Sequence, residues 1–196
     1  LLACCRNDDT VLVDELTFPG MKAAAKQLRL KRHGVKMDEE GITPEALDLA
    51  IRTTGARVLV SDPTLQNPTG ITMGAARRSA IIEVLRRHST LFIEEYVIGA
   101  LSEVPPVSRD LKQQSVLITS FAKTVAPGIR FAIIAGEHPV IEKLHAESHG
   151  TSWQLSPLMA EVACRWIEDS TASRRRQWQR AEIERRHRLY RRAFPG

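Results

Sequence analysis

The sequence predicts an α/β fold in three layers, a mainly parallel sheet packed between helices. Short runs rich in β-branched residues alternate with longer helical stretches along residues 10–136, and that alternation is how a parallel sheet with crossover helices is written in a sequence. Polar residues also gather just after the apolar runs, at Asn67, at Glu94 and Glu95, and at Ser120 and Lys123. Open α/β sheets collect their ligands there, beyond the carboxyl ends of the strands.

Each element has its own signal. TVLVDEL (10–16) reads as the first strand, PGMKAAAKQLRL (19–30) as a helix of alanines and leucines among lysines, and HGVKM (33–37) as a short second strand. In ITPEALDLAIRTTG (42–55), Thr43 is placed to cap a helix, Pro44 opens it and Gly55 closes it. ARVLVSD (56–62) is a buried strand that runs into PTLQNPTG. GAARRSAIIEVLRRH (74–88) follows as a helix turning Ile81, Ile82 and Leu85 inward, and TLFIEE (90–95) is the next strand. After a loop holding Pro105 and Pro106 come the strands SVLITSF (115–121) and RFAIIAG (130–136). Residues 138–149 and 155–192 read as helical. No repeat or low-complexity linker divides the chain, so residues 1–196 are expected to form one large domain, with 155–196 as a long helix at its end.

Composition excludes several classes. At 196 residues and 43% hydrophobic, the chain can bury a core of its own. No apolar run approaches the roughly 18 residues that span a bilayer, and LLACCRNDD lacks the features of a signal peptide. A cytoplasmic protein with no membrane partner is expected. Cys4, Cys5 and Cys164 are an odd number without CxxC spacing, which points to buried or free thiols and to neither a disulfide framework nor a zinc site. The net charge of +5 is concentrated at one end: residues 171–196 hold nine arginines against two glutamates, leaving 19 basic and 21 acidic side chains elsewhere. That end reads as a helix with a solvated arginine face and with Trp178, Ile183, Tyr190 and Phe194 as anchors, a pattern unlike groove-reading nucleic-acid binders.

The stretch SFAKTVAPGIR (120–130) sets a lysine, a serine and an arginine where a strand should stop. A lysine whose pKa is lowered by burial or nearby charge attacks carbonyls and forms imines, the usual anchorage of pyridoxal phosphate. Serine supplies a hydroxyl and arginine a two-pronged donor suited to a phosphate. Ser120-x-x-Lys123 also matches one element of the β-lactamase type of serine hydrolase, but the companion S-D-N and K-T-G elements are absent and Pro127 interrupts the helix that reading needs. No G-x-G-x-x-G supports a dinucleotide site, and His145 and His149, one helical turn apart, lack a third ligand.

Taken together, PTLQNPTG (63–70) and SFAKTVAPGIR resemble the class I/II aminotransferases of pyridoxal phosphate fold type I. The likeness is nearest to the aminotransferase-like domain of MocR-type regulators in the GntR family. It extends through TVLVDELTFPG, MDEEGITPEAL and SPLMAEVACRWIED, and so over nearly the whole chain. The resemblance implies pyridoxal 5'-phosphate as cofactor, with Lys123 as its catalytic anchor and Ser120 and Arg130 on its phosphate. It implies Asn67 on the ring oxygen through a cis Asn67–Pro68 bond, Phe18 stacked on the ring, and Glu95 in place of the family's aspartate at the ring nitrogen. Ile98 stands where the family has a tyrosine, with Tyr96 two residues away.

Two functions follow from the resemblance. One is amino-group transfer between an amino acid and a 2-oxo acid; the other is a non-catalytic, cofactor-dependent sensing domain of a transcription regulator. The full-length protein is expected to be a homodimer. The family's upstream phosphate loop, the regulators' DNA-binding domain and the downstream small domain fall outside this sequence, so an inactive fragment is the third expectation.

Overall fold

A computed structural model describes residues 1–144 and 156–195. Six strands form one sheet: β1 (Thr10–Asp14), β2 (Lys31–Val35), β5 (Val58–Ser61), β6 (Leu91–Glu95), β7 (Ser115–Ser120) and β8 (Ala132–Ala135), in the order β2-β1-β5-β6-β7-β8. All neighbours run parallel except β7 and β8. A two-stranded ribbon of β3 (Met37–Asp38) and β4 (Gly41–Ile42) stands apart. The helices are α1 (Pro19–Gln27), α2 (Pro44–Thr54), α3 (Ala75–His88), the single turns α4 (Ser108–Leu111) and α5 (Phe121–Thr124), then α6 (Pro157–Glu168) and α7 (Thr171–Ala193).

Period-two alternation sorts the strand side chains onto two covered faces. Leu12, Leu59 and Phe92 lie in register and pack with Leu47, Ala50 and Ile51 of α2 and Ile81, Ile82 and Leu85 of α3. Val11, Val13, Val58, Val60, Leu91 and Ile93 line the other face, against Met21 and Ala25 of α1 and Val140. Both faces are therefore dry, and polar groups are left to the strand ends. The caps of α2 follow the sequence: the Thr43 hydroxyl accepts from Ala46 N at 3.2 Å, and Gly55 closes the helix at φ +66°, a conformation glycine adopts without strain.

Several expectations are corrected. The second strand is 31–35, not 33–37, because pairing to β1 places Thr10 opposite Lys31. It is an edge strand whose Lys31, Arg32, His33 and Gly34 are exposed, so no apolar alternation marked it. The predicted helix over 155–192 is two helices. Ser170 takes a left-handed φ of +63° and the Asp169 carboxylate accepts from Thr171 N at 2.8 Å, so the Asp-Ser-Thr run starts a new helix where the pattern suggested continuity. Trp178, Ile183 and Tyr190 on α7 and Phe194 just after it are half exposed or more, so none is a buried anchor. The helix expected over 138–149 is observed at 140–144; His145 and His149 lie outside the described residues. The three cysteines are free thiols, and no described helix is long and apolar enough to cross a membrane.

Phe92 is fully buried at the centre of the sheet, whereas Leu189 on α7 is half exposed. Phe92→Ala is expected to lower unfolding free energy by about 3–5 kcal/mol and Leu189→Ala by less than about 0.5 kcal/mol. Urea denaturation of the two variants checks this; equal losses would show that the core is not where the structure puts it.

Candidate active site at the carboxyl end of the sheet

Parallel strands end on the same side, and β1, β5, β6 and β7 each release a predicted residue there. Phe18 follows β1, Asn67 follows β5, Glu95 ends β6, and Ser120 ends β7 with Lys123 in the turn α5 just beyond it. Arg130 precedes β8, whose Ala132 lies opposite Ser120 in the antiparallel register. Topology thus brings all six expected residues to one end of the sheet.

The segment 120–131 shows how a short sequence exposes its charges. Phe121, Val125 and Ile129 are buried in a small cluster with Ala163 of α6, and the Phe121 and Phe131 rings meet at 5.3 Å. With the apolar positions drawn inward, Lys123 and Arg130 are left exposed. Ser120 caps α5: its hydroxyl accepts from Ala122 N and donates to Phe131 O, both at 3.0 Å. Arg130 has a left-handed φ of +53°, uncommon for a residue with a side chain. The side chains of Lys123, Arg130, Asn67 and Glu95 have no hydrogen-bond or ion-pair partner among the described residues, which leaves an amine, a guanidinium, an amide and a carboxylate available to a ligand.

Asn67 sits in a tightly bonded loop. The Asn67–Pro68 peptide is cis, as expected, and Asn67 N donates to the Asp62 carboxylate at 2.7 Å. Asn67 and Ile98 help line an open cavity of about 630 Å³, with Arg180 and Ile183 of α7 on its lining; Lys123 and Glu95 do not line it. Phe18 is exposed, with its ring folded over Gly20; a Cβ at Gly20 would lie 2.2 Å from that ring. Tyr96 does not stand in for the tyrosine missing at Ile98, because its hydroxyl donates to Val104 O at 2.5 Å. The adjacent Glu94 is fully buried on the opposite face of β6, where it accepts from Val107 N and Ser108 N at the start of α4.

Three residues that the sequence reading did not single out complete this end of the sheet. Asp14 is buried at the tip of β1, accepting from Ser61 Oγ at 2.7 Å and from Gln66 Nε2 at 3.4 Å. Asp62 and Gln66 flank the Asn67 loop. Burial pushes the Asp14 carboxyl up. Burial and the neighbouring Asp14 push Asp62 up to about 8 and also raise Glu95. The signal for Asp14 was a carboxylate ending an apolar strand; its partners lie 47 and 52 residues away in the chain.

These shifts have a sign. A carboxyl whose folded pKa is raised from 3.8 to about 8 contributes stability that is complete below pH about 4 and is lost as pH rises through about 8. Thermal stability is expected to fall across that range. Asp62→Asn keeps an acceptor for Asn67 N and should flatten the fall by a few degrees, leaving the part due to Asp14 and Glu95. Melting curves at stepped pH with unchanged slope in the variant would contradict the assignment.

Comparison with known proteins matches this architecture. The family model for aminotransferase class I and II matches residues 1–194. An uncharacterised HTH-type transcriptional regulator of Bacillus subtilis, YdeF, is 26% identical over all of this chain and 43% of its own length. The aminotransferase swnA of Metarhizium robertsii is 33% identical over 70% of this chain and 31% of its own. The crystal structure of LysN, an alpha-aminoadipate aminotransferase from Thermus thermophilus complexed with N-(5'-phosphopyridoxyl)-L-leucine, superposes with a TM-score of 0.77 at 19% identity, covering 91% of this chain and 49% of that one. The chain thus spans less than half the length of these relatives. With the sheet order, the motif loops and the match over residues 1–194 in agreement, the chain belongs to the class I and II aminotransferase family.

Proposed function

We propose that this chain is the cofactor-binding part of a pyridoxal phosphate protein that moves an amino group between an amino acid and a 2-oxo acid, acting as a cytoplasmic homodimer when full length. The observation that carries the reading is the gathering of Lys123, Arg130, Asn67 and Glu95 at one sheet end, each without a protein partner among the described residues. The structurally similar LysN was crystallised in complex with N-(5'-phosphopyridoxyl)-L-leucine. The donor set suits that cofactor: an amine for covalent attachment, a hydroxyl and a guanidinium for a phosphate, a carboxylate for a ring nitrogen and an amide for a ring oxygen.

When bound, the cofactor supplies an electron sink for the amino acid's α-carbon. The chain's own residues bind and orient. Lys123 Nζ, held at the end of α5, would provide the covalent anchor and a base. The Ser120 hydroxyl, now bonded to Phe131 O and Ala122 N, and the Arg130 guanidinium would hold the phosphate. The Glu95 carboxylate would favour a proton on the ring nitrogen. Asn67 would donate to the ring oxygen without help from Ile98, and Phe18 would cover a ring face.

A second reading has its own support. YdeF matches the chain from end to end, and the ring oxygen lacks a tyrosine donor here because Ile98 is apolar and Tyr96 is engaged elsewhere. Both fit a domain that reports a ligand to a DNA-binding partner domain outside this sequence.

Adding pyridoxal phosphate to the full-length protein is expected to produce a visible absorption band, and borohydride should fix the cofactor on Lys123. Lys123→Ala should abolish the band, and Arg130→Gln should weaken binding about 10- to 150-fold, the equivalent of about 1.5–3 kcal/mol. Peptide mapping that finds the label on another lysine would overturn the assignment. Decay of the band with an amino acid, followed by recovery with a 2-oxo acid, identifies an enzyme; binding without turnover identifies the sensor.

A further inference from the structure

We propose that Gln66 is a positioning residue: its side-chain amide ties the loop that carries Phe18 to the loop that carries Asn67, and so sets the opening between the two. The inference rests on the proposed cofactor site for its consequence, though not for its geometry.

Gln66 is buried, 4% exposed. A primary amide offers two donor and two acceptor positions, and here all four are taken. Nε2 donates to Leu16 O at 2.6 Å and to the Asp14 carboxylate at 3.4 Å; Oε1 accepts from Thr69 N at 3.0 Å and from Thr69 Oγ1 at 2.6 Å. The main chain of Gln66 closes the same loop, donating to Ile71 O at 2.8 Å and accepting from Gly70 N at 2.6 Å. One residue therefore shapes the turn 66–71 and reaches across to another strand's loop.

The reach matters because the first loop is otherwise loosely held. Glu15 N is bonded to Val35 O and Met21 N to Phe18 O, but between them the bond to Leu16 O is the only hydrogen bond to the main chain of Leu16 and Thr17 among the described residues. Phe18 follows two residues later. Asp14, itself held by Ser61 Oγ, orients the amide so that its donor side faces Leu16 and its acceptor side faces Thr69. Glutamate would turn an acceptor toward both Leu16 O and Asp14, asparagine is a methylene short, and leucine fills the space without any of the four bonds. An unmet buried polar group is costly, so the arrangement tolerates little else.

The test uses the full-length protein with Gln66→Leu and Gln66→Glu. Hydrogen exchange of the cofactor-free protein is expected to show segments 15–21, read at the bonded amides of Glu15 and Met21, and 67–71 losing protection together in both variants; loss in neither segment, or in only one of them, overturns the tie. This readout needs no cofactor, so it decides the inference even if wild type gives no pyridoxal phosphate band and the proposed function fails. If wild type does bind, Gln66→Leu should weaken affinity at least about tenfold, yet less than about twofold in a Phe18→Ala/Asn67→Ala background, because positioning acts through those two side chains. An equal loss in both backgrounds overturns the inference. In Gln66→Glu the deficit relative to wild type should shrink between about pH 8 and about pH 5.5, since a protonated carboxyl again offers a donor to Leu16 O. A deficit that does not change with pH overturns it as well, and this near-isosteric variant keeps the test available if Gln66→Leu does not fold.

Discussion

The parallel pairing of β1, β5, β6 and β7 is the constraint on which the rest of this molecule depends. Strands that run the same way must be joined by crossovers that cover both faces, so the strand interiors here are apolar on both sides, with Leu12, Leu59 and Phe92 on one and Val11, Val60 and Ile93 on the other. Polar chemistry is thereby confined to the ends. Because the strands share a direction, their carboxyl ends share an edge, and the topology delivers residues from positions 14 to 130 of the chain to it.

That edge concentrates carboxylates. Burial raises the pKa of Asp14, Asp62 and Glu95, and the charge of Asp14 raises Asp62 and Glu95 further. Protonation of these carboxyls is therefore favoured by the folded state. Ser61, Gln66 and the main-chain N–H of Asn67 offset part of the cost through hydrogen bonds, and in doing so fix the loops beside them. The same interactions that make the carboxylates tolerable therefore give the site its shape.

Buried arginine does comparable work on the other face of the sheet. Arg78, 9% exposed, donates to the carbonyls of Met73, Pro63 and Pro105 and to Thr64 Oγ1, pinning the chain on both sides of the Asn67 loop to α3 and the proline loop. Glu94 completes that scaffold by accepting the first N–H groups of α4. By contrast α7 has no buried residue and is rich in arginine; Ala172 packs against the Phe121 cluster, and Arg180 bonds Ser102 O. The site is thus backed by α3 and α4 and flanked by the more exposed α7.

By itself the sequence determined the fold class and most element positions, because these are written locally in the apolar period and in the Thr43 and Gly55 caps; the six candidate residues came from the resemblance carried by the two motif loops and their flanks. It was less legible where the signal was not apolar. The edge strand β2 is polar along most of its length, and the break at Asp169–Ser170 lies inside a stretch whose periodicity runs on. Only the tertiary structure decided that Tyr96 turns to Val104, that Glu94 and Glu95 serve opposite faces, and that Asp14, Asp62 and Gln66 join the site. The reason is physical: a hydrogen bond between residues about 50 positions apart leaves no periodic trace in the chain, and burial, which raises a carboxyl's pKa or makes an amide's orientation unique, exists only once the elements have packed.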